Sequence, residues 1–216
     1  MLTATRLATS QQELLDPAAP AWRRLPAATV ALKGTPLGTQ PTSYMRSAWK
    51  DRKIGAVERV DIKVCHNGEA LFIRLEWPDA SENLAGGSDG FVDAAAVAFP
   101  LGSDVPLDTM GNEKGWVNAW QWRADVAGAR AVVAHGLGTT EPTADRVGAA
   151  FLRSEGRWQV VLCRDLASAL APQTAIALEP GGATRFAVAV WEGSNGERAG
   201  FKAYTAEWID LLLAET

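Results

Sequence analysis

Between residues 60 and 77 the chain carries a pattern that few folds accept. Val60, Ile62 and Val64 alternate with Asp61 and Lys63, and Asn67-Gly68 follows. Leu71, Ile73, Leu75 and Trp77 then resume the alternation until Pro78-Asp79 ends it. A period of two places every second side chain on one face of a strand. An Asn-Gly pair suits a tight hairpin because both residues accept positive φ. A half-buried hairpin of this kind needs further strands to cover its apolar face. The chain supplies them as short runs at Ala28–Leu32, Phe91–Pro100, Trp116–Trp122, Ala129–Ala134, Val147–Arg153, Trp158–Arg164 and Thr184–Trp191. Ser154-Glu155-Gly156-Arg157 is a second hairpin turn, and Ser81–Gly90 is a polar, Gly-rich loop. Asp165–Gln173 is expected to form a brief helical turn, and Phe201–Leu213 one more strand or a short helix. Without intervening amphipathic helices, the expectation is a mainly β chain: an antiparallel β-sandwich with a few short helical segments. It reads as a single domain over 1–216, with residues 1–50 an extended arm making partner contacts.

The balance of charges narrows the function. A net charge of −4 and no basic run argue against nucleic acid or an anionic membrane surface as partner. No stretch of about 18 apolar residues occurs, so no membrane span is expected. The first 30 residues lack a basic segment followed by an apolar one, so no signal peptide is read there. That fits a cytoplasmic protein, or a subunit exported already folded on a partner that carries the signal. Cys65 and Cys163 stand alone in apolar runs, which excludes Cys-x-x-Cys metal and haem-attachment motifs and leaves open whether the two pair. His66, in a hairpin turn, is expected to be exposed and not to join His135 in a metal pair. Asp93 and Asp125 are assigned capping or turn duty.

Nine tryptophans are unusual for this length. Three fall in Thr109–Trp122, where Met110 in a Gly-bounded loop leads into a strand whose even positions are Trp116, Asn118, Trp120 and Trp122. A thioether beside an aromatic wall suits a flat, apolar, iron-containing ring, and the same residues also describe an ordinary tryptophan-rich core. Near the far end, Lys202 follows the Gly-rich loop Glu192–Gly200, between Phe201 and Ala203. Taken alone it reads as a solvated charge.

Several patches, in order, carry a family resemblance: His66-Asn67-Gly68, Leu75-Glu76-Trp77, Phe91-Val92-Asp93 with Phe99-Pro100, Met110-Gly111 with Val117-Asn118-Ala119-Trp120, and Ala189-Val190-Trp191 through Asn195-Gly196-Glu197-Arg198 to Lys202. From Ala56 onward the chain resembles the γ subunits of ethylbenzene dehydrogenase and dimethyl sulfide dehydrogenase, within the type II dimethyl sulfoxide reductase family. The resemblance implies a β-sandwich carrying one haem b, with Met110 and Lys202 as axial ligands. On that expectation Trp116, Asn118, Trp120 and Phe201 would pack the porphyrin and Arg198 would meet a propionate. It further implies a molybdopterin α subunit, an iron–sulfur β subunit, an external carrier such as a c-type cytochrome, and a periplasmic location reached by co-export. The chain would transfer electrons within a molybdenum oxidoreductase and hold no catalytic residue itself. The rival reading is a carbohydrate-binding module without haem, whose tryptophans would lie exposed in a groove.

Overall fold

The computed structural model describes residues 1–85 and 90–215. Of the polar loop expected over Ser81–Gly90, residues 86–89 lie outside the described residues. The elements are β1 (Leu2–Arg6), α1 (Gln11–Leu15), β2 (Ala28–Gly34), α2 (Ser43–Ala48), β3 (Arg59–His66), β4 (Ala70–Pro78), β5 (Ala94–Leu101), β6 (Trp116–Arg123), β7 (Ala129–Ala134), β8 (Glu141–Pro142), β9 (Val147–Ser154), β10 (Arg157–Asp165), β11 (Ala183–Trp191), β12 (Ala203–Thr205) and β13 (Ile209–Leu213).

One layer runs β8-β7-β6-β5-β11-β12 and the other β2-β3-β4-β10-β9. Strand β2 pairs both β12 and β3, so hydrogen bonding turns the corner between the layers. The inner faces meet in one core: Trp120, Trp122, Phe99 and Phe186 from the first layer against Trp77, Trp158, Ile73 and Leu75 from the second. Trp122 lies edge-on to both Trp77 and Trp158, at centroid separations of 6.2 and 5.2 Å. Edge-on indoles fill a sandwich interior without the repulsion of a face-to-face stack.

The hairpin β3–β4 pairs Asp61–His66 with Leu71–Glu76. In its turn only Gly68 is left-handed (φ +93°), while the Asn67 carboxamide accepts from the amides of Glu69 and Ala70. The second hairpin, β9–β10, does use two positive-φ residues, Glu155 and Gly156. Phe201–Leu213 resolves into two strands, β12 and β13. Asp165–Gln173 forms no helix.

Two expectations for the ends of the chain are corrected. The extended arm expected over residues 1–50 begins inside the sheets: β1 pairs β13 through Leu2–Ala4 and β3 through Thr5–Arg6, both in parallel, tying the layers together in an otherwise antiparallel fold. His66 is buried, not exposed. Its Nε2 lies 2.8 Å from the Ala214 carbonyl, because β1 and the C-terminal strand close over the end of β3. Burial lowers its pKa, so the neutral ring is favoured.

On the outer face of the second layer, Leu14, Trp22, Cys65, Phe72 and Cys163 form a smaller apolar cluster capped by α1 and the turn at residues 20–24. Cys65 and Cys163 flank Phe72 in register on β3 and β10. Two strand spacings separate their Cα atoms by about 9.6 Å, beyond disulfide reach. Both are free thiols. Among the described residues no helix is long and apolar enough to cross a membrane.

Candidate functional site

The outer face of the first layer is paved differently. Registers place Ala96 opposite Ala189, and Ala98 opposite both Ala187 and Ala119, with Ala94 beside Trp191. Alanine is a poor strand former, and six on one sheet face leave a floor with no side chain taller than a methyl group. Such a floor lets a flat body approach the backbone closely.

Met110 and Lys202 stand on this face. Strand alternation sends Phe201 and Ala203 to one side of the sheet and Lys202 and Tyr204 to the other. Tyr204 pairs with Ala189, and the Lys202 Nζ lies 5.4 Å from the Trp191 ring centroid. At the other end Met110 packs against Ala98, Val117, Ala119 and Val132 alongside Trp208. The loop before β6 is folded down by long-range bonds: Tyr204 Oη donates to Asp108 Oδ1 at 2.6 Å, and Trp208 Nε1 to the Val105 carbonyl at 2.8 Å. Met110 is one of three non-glycine residues with positive φ (+58°) among the described residues. Its amide donates to the Leu107 carbonyl, and that of Gly111 to the Pro106 carbonyl. This strained turn, anchored two residues from Lys202 by Tyr204, is what brings the thioether over the alanine face.

Lys202 is half-buried, and among the described residues it forms no ion pair. Desolvation depresses its pKa from 10.5 to about 8. An unpaired amine in apolar surroundings loses its proton readily and becomes a nitrogen donor. The loop that delivers it is held from behind by the buried Glu197 carboxylate, which accepts from the amides of Gly55, Ala56 and Glu192. Arg198 is exposed on this loop, its guanidinium 4.1 Å from the Phe91 ring centroid. It lines a cavity of about 150 Å³ with Phe91, Ala94, Gln121 and Trp191, at the Lys202 end of the alanine face.

The other expected site residues lie elsewhere. Trp120 and Trp122 are fully buried in the core, because the sandwich interior takes the indole face of β6 and leaves Val117, Ala119, Gln121 and Arg123 on the outer one. Asn118 shares that inner face, where it donates to the Val132 and Thr174 carbonyls and accepts from the Ile176 amide. Trp116, at the start of the strand, stacks on His135 at 4.8 Å. Phe201 is buried against Trp49, with ring centroids 4.3 Å apart. The expected aromatic wall beside Met110 is therefore corrected: the indoles back the sheet, and alanines face Met110 and Lys202. The available signal is the alternation of Ala94, Ala96 and Ala98 with Ala95, Val97 and Phe99, which the expectation of one buried strand over Phe91–Pro100 does not use.

Residues 19–155 and 148–203 match the family model described as ethylbenzene dehydrogenase. A Haloferax mediterranei chain named provisionally as a respiratory nitrate reductase heme subunit is 33% identical over 199 residues, covering 89% of this chain and 66% of its own length. The chlorate reductase γ subunit of Ideonella dechloratans is 34% identical over 159 residues, covering 72% and 65%. The dimethylsulfide dehydrogenase γ subunit of Rhodovulum sulfidophilum is 27% identical over 157 residues, covering 68% and 58%. The chain thus spans about three fifths to two thirds of the length of these relatives. Among solved structures, a Bacteroides uniformis protein described provisionally as carbohydrate-binding superposes with a TM-score of 0.58 at 10% identity, covering 98% of both chains. That likeness is one of fold alone. With the family model matched across most of the chain, and Met110 and Lys202 both inside the matched residues, this protein belongs to the ethylbenzene dehydrogenase family.

Proposed function

We propose that this chain is a haem b electron-transfer subunit of a molybdenum oxidoreductase, with Met110 and Lys202 as the axial ligands. The observation that carries the reading is an unpaired, desolvated Lys202 amine on the same alanine-paved sheet face as Met110. A surface lysine kept for solubility would sit in water, and one kept for stability would have a carboxylate partner. Met110 and Lys202 would hold the haem, which would supply one-electron transfer, at a potential that the thioether would raise. The chain's own residues do the rest. Lys202 gives up its proton at low cost, Met110 offers a soft donor from a turn that Asp108 and Tyr204 hold in place, and the alanines admit a planar group. Arg198, free of carboxylate partners among the described residues, is the cation available to a propionate. The relatives' names as heme and γ subunits support a place in a multi-subunit oxidoreductase, whose other members on this reading are a molybdopterin α subunit and an iron–sulfur β subunit. In that complex the chain exchanges electrons with an external carrier such as a c-type cytochrome. A periplasmic location by co-export fits this role.

The carbohydrate-binding alternative asks for tryptophans exposed in a groove. Among the described residues none of the nine is exposed, which favours the haem reading. The test is the absorption spectrum of the purified complex. A Soret band that sharpens on dithionite reduction into a low-spin ferrous spectrum is expected. Met110→Ala and Lys202→Ala should each convert it to a high-spin or differently ligated form. A complex absorbing only as protein, or a variant with an unaltered spectrum, refutes the assignment or removes that ligand.

A further inference from the structure

Away from the alanine face, three carboxylates from distant parts of the chain converge inside the protein. Asp79 follows β4, Asp93 precedes β5 and Glu192 follows β11, and each is at most 8% exposed. One oxygen from each lies within 4.8 Å of the others. Asp93 is well supplied with donors, taking the amides of Asn83 and Gly193 and the Trp158 indole N–H. Asp79 is not. Its Oδ1 accepts from the Ser81 amide, whereas its buried Oδ2 has no hydrogen-bond partner.

Around Ser81 acceptor oxygens crowd one hydroxyl. Ser81 Oγ stands 3.2 Å from Asp79 Oδ1, 2.8 Å from Asn83 Oδ1 and 3.1 Å from Glu192 Oε1. The Ser81 hydroxyl donates one hydrogen, so with the carboxylates ionised it serves one of these three acceptors; Glu192 Oε1 also takes the Ser194 amide and hydroxyl, while Asp79 Oδ2 takes none. Arg153, the adjacent cation, donates through one nitrogen to the Asp79 and Ser81 carbonyls and, among the described residues, pairs with no carboxylate. Burial and mutual repulsion raise the pKa of Asp79 and Asp93. Buried charge of one sign without a counter-ion is strongly destabilising.

We infer that Asp79, Asp93 and Glu192, with Ser81 and Asn83 beside them, form a calcium-binding site. The donors are all hard oxygens, which select Mg²⁺, Ca²⁺ or Mn²⁺ over softer metals. Ligand number and the readiness to shed water choose among them. Mg²⁺ keeps several of its waters and is seldom held by an all-protein cage, whereas Ca²⁺ takes about six to eight oxygens from carboxylates and amide carbonyls, which suits this buried donor set. The cation cross-links the ends of β4 and β11 to the start of β5. It thereby fixes the root of the Glu192–Gly200 loop that leads to Lys202. The site stands apart from the haem proposal, and failure of either leaves the other intact.

The test uses the full chain, in its complex, stripped with a calcium chelator. Terbium, a luminescent calcium surrogate, is titrated in with excitation of tryptophan, since Trp158 bonds Asp93 directly at 3.2 Å. One saturable equivalent of sensitised emission, displaced by calcium, is expected. Calcium at a hundredfold excess over its dissociation constant should raise the melting temperature by about 5–10 °C. Asp79→Asn, which keeps the side chain's shape, should weaken terbium and calcium binding at least tenfold. Absence of both sensitised emission and a calcium-dependent melting shift in the wild-type protein overturns the inference. So does a wild-type protein indifferent to calcium but stabilised by Asp79→Asn, since a shared proton would then take the cation's place.

Discussion

Replacing Lys202 by methionine removes an amine that the fold desolvates while keeping the reach of the side chain over Trp191. In the haem-free chain the wild-type amine is held at about 8 against an ordinary 10.5. Taken at full strength, that depression is a penalty of about 3 kcal/mol on the charged form. Half-burial leaves solvent screening that reduces it to about 1–2 kcal/mol. The direction follows from proton counts. Between pH 8 and 10.5 the unfolded chain binds more protons than the folded one, so wild-type stability rises with pH across that window. Lys202→Met should therefore be the more stable protein at pH 7 by about 1–2 kcal/mol, with the gap closing toward pH 10.5. Urea unfolding of the haem-free wild type and variant at a series of pH values measures this. With haem present the variant has lost the nitrogen donor and can offer only a second thioether in its place, so its spectrum departs from that of the wild type. A variant less stable than wild type at pH 7 without haem, or a gap independent of pH, refutes the claim that Lys202 is kept at a cost to the fold.

Trp120→Ala empties an inner-face position against Phe99 and should cost about 3–5 kcal/mol in denaturant unfolding, leaving the Soret position of the folded fraction unchanged. Gly193→Ala places a Cβ 2.1 Å from the Phe91 carbonyl oxygen, and the loop must shift; a loss of about 1–3 kcal/mol and a weakened haem spectrum are expected. Cys65 and Cys163 should both titrate with a thiol reagent in denaturant without reductant, and fewer than two reactive thiols would contradict the strand register.

The strands were legible because alternation is a local property. Val60–Trp77 and Trp158–Arg164 declare their pairing partners by period and turn chemistry alone, and the observed hairpins follow. The family resemblance also named Met110 and Lys202 from the order of short patches. What alternation leaves open is which face turns inward when both carry apolar residues. On β6, Trp120 and Trp122 oppose Val117 and Ala119, and only the packing of Trp77 and Trp158 from the other layer draws the indoles into the core. The alanine face is then left for Met110 and Lys202. The Met110 loop is tied to β12 by Asp108 meeting Tyr204, 96 residues away, which no window of sequence encodes. The same holds for Asp79, Asp93 and Glu192. Each reads in sequence as an ordinary strand-end carboxylate, and only the closing of the sandwich removes the water that would have kept their charges apart.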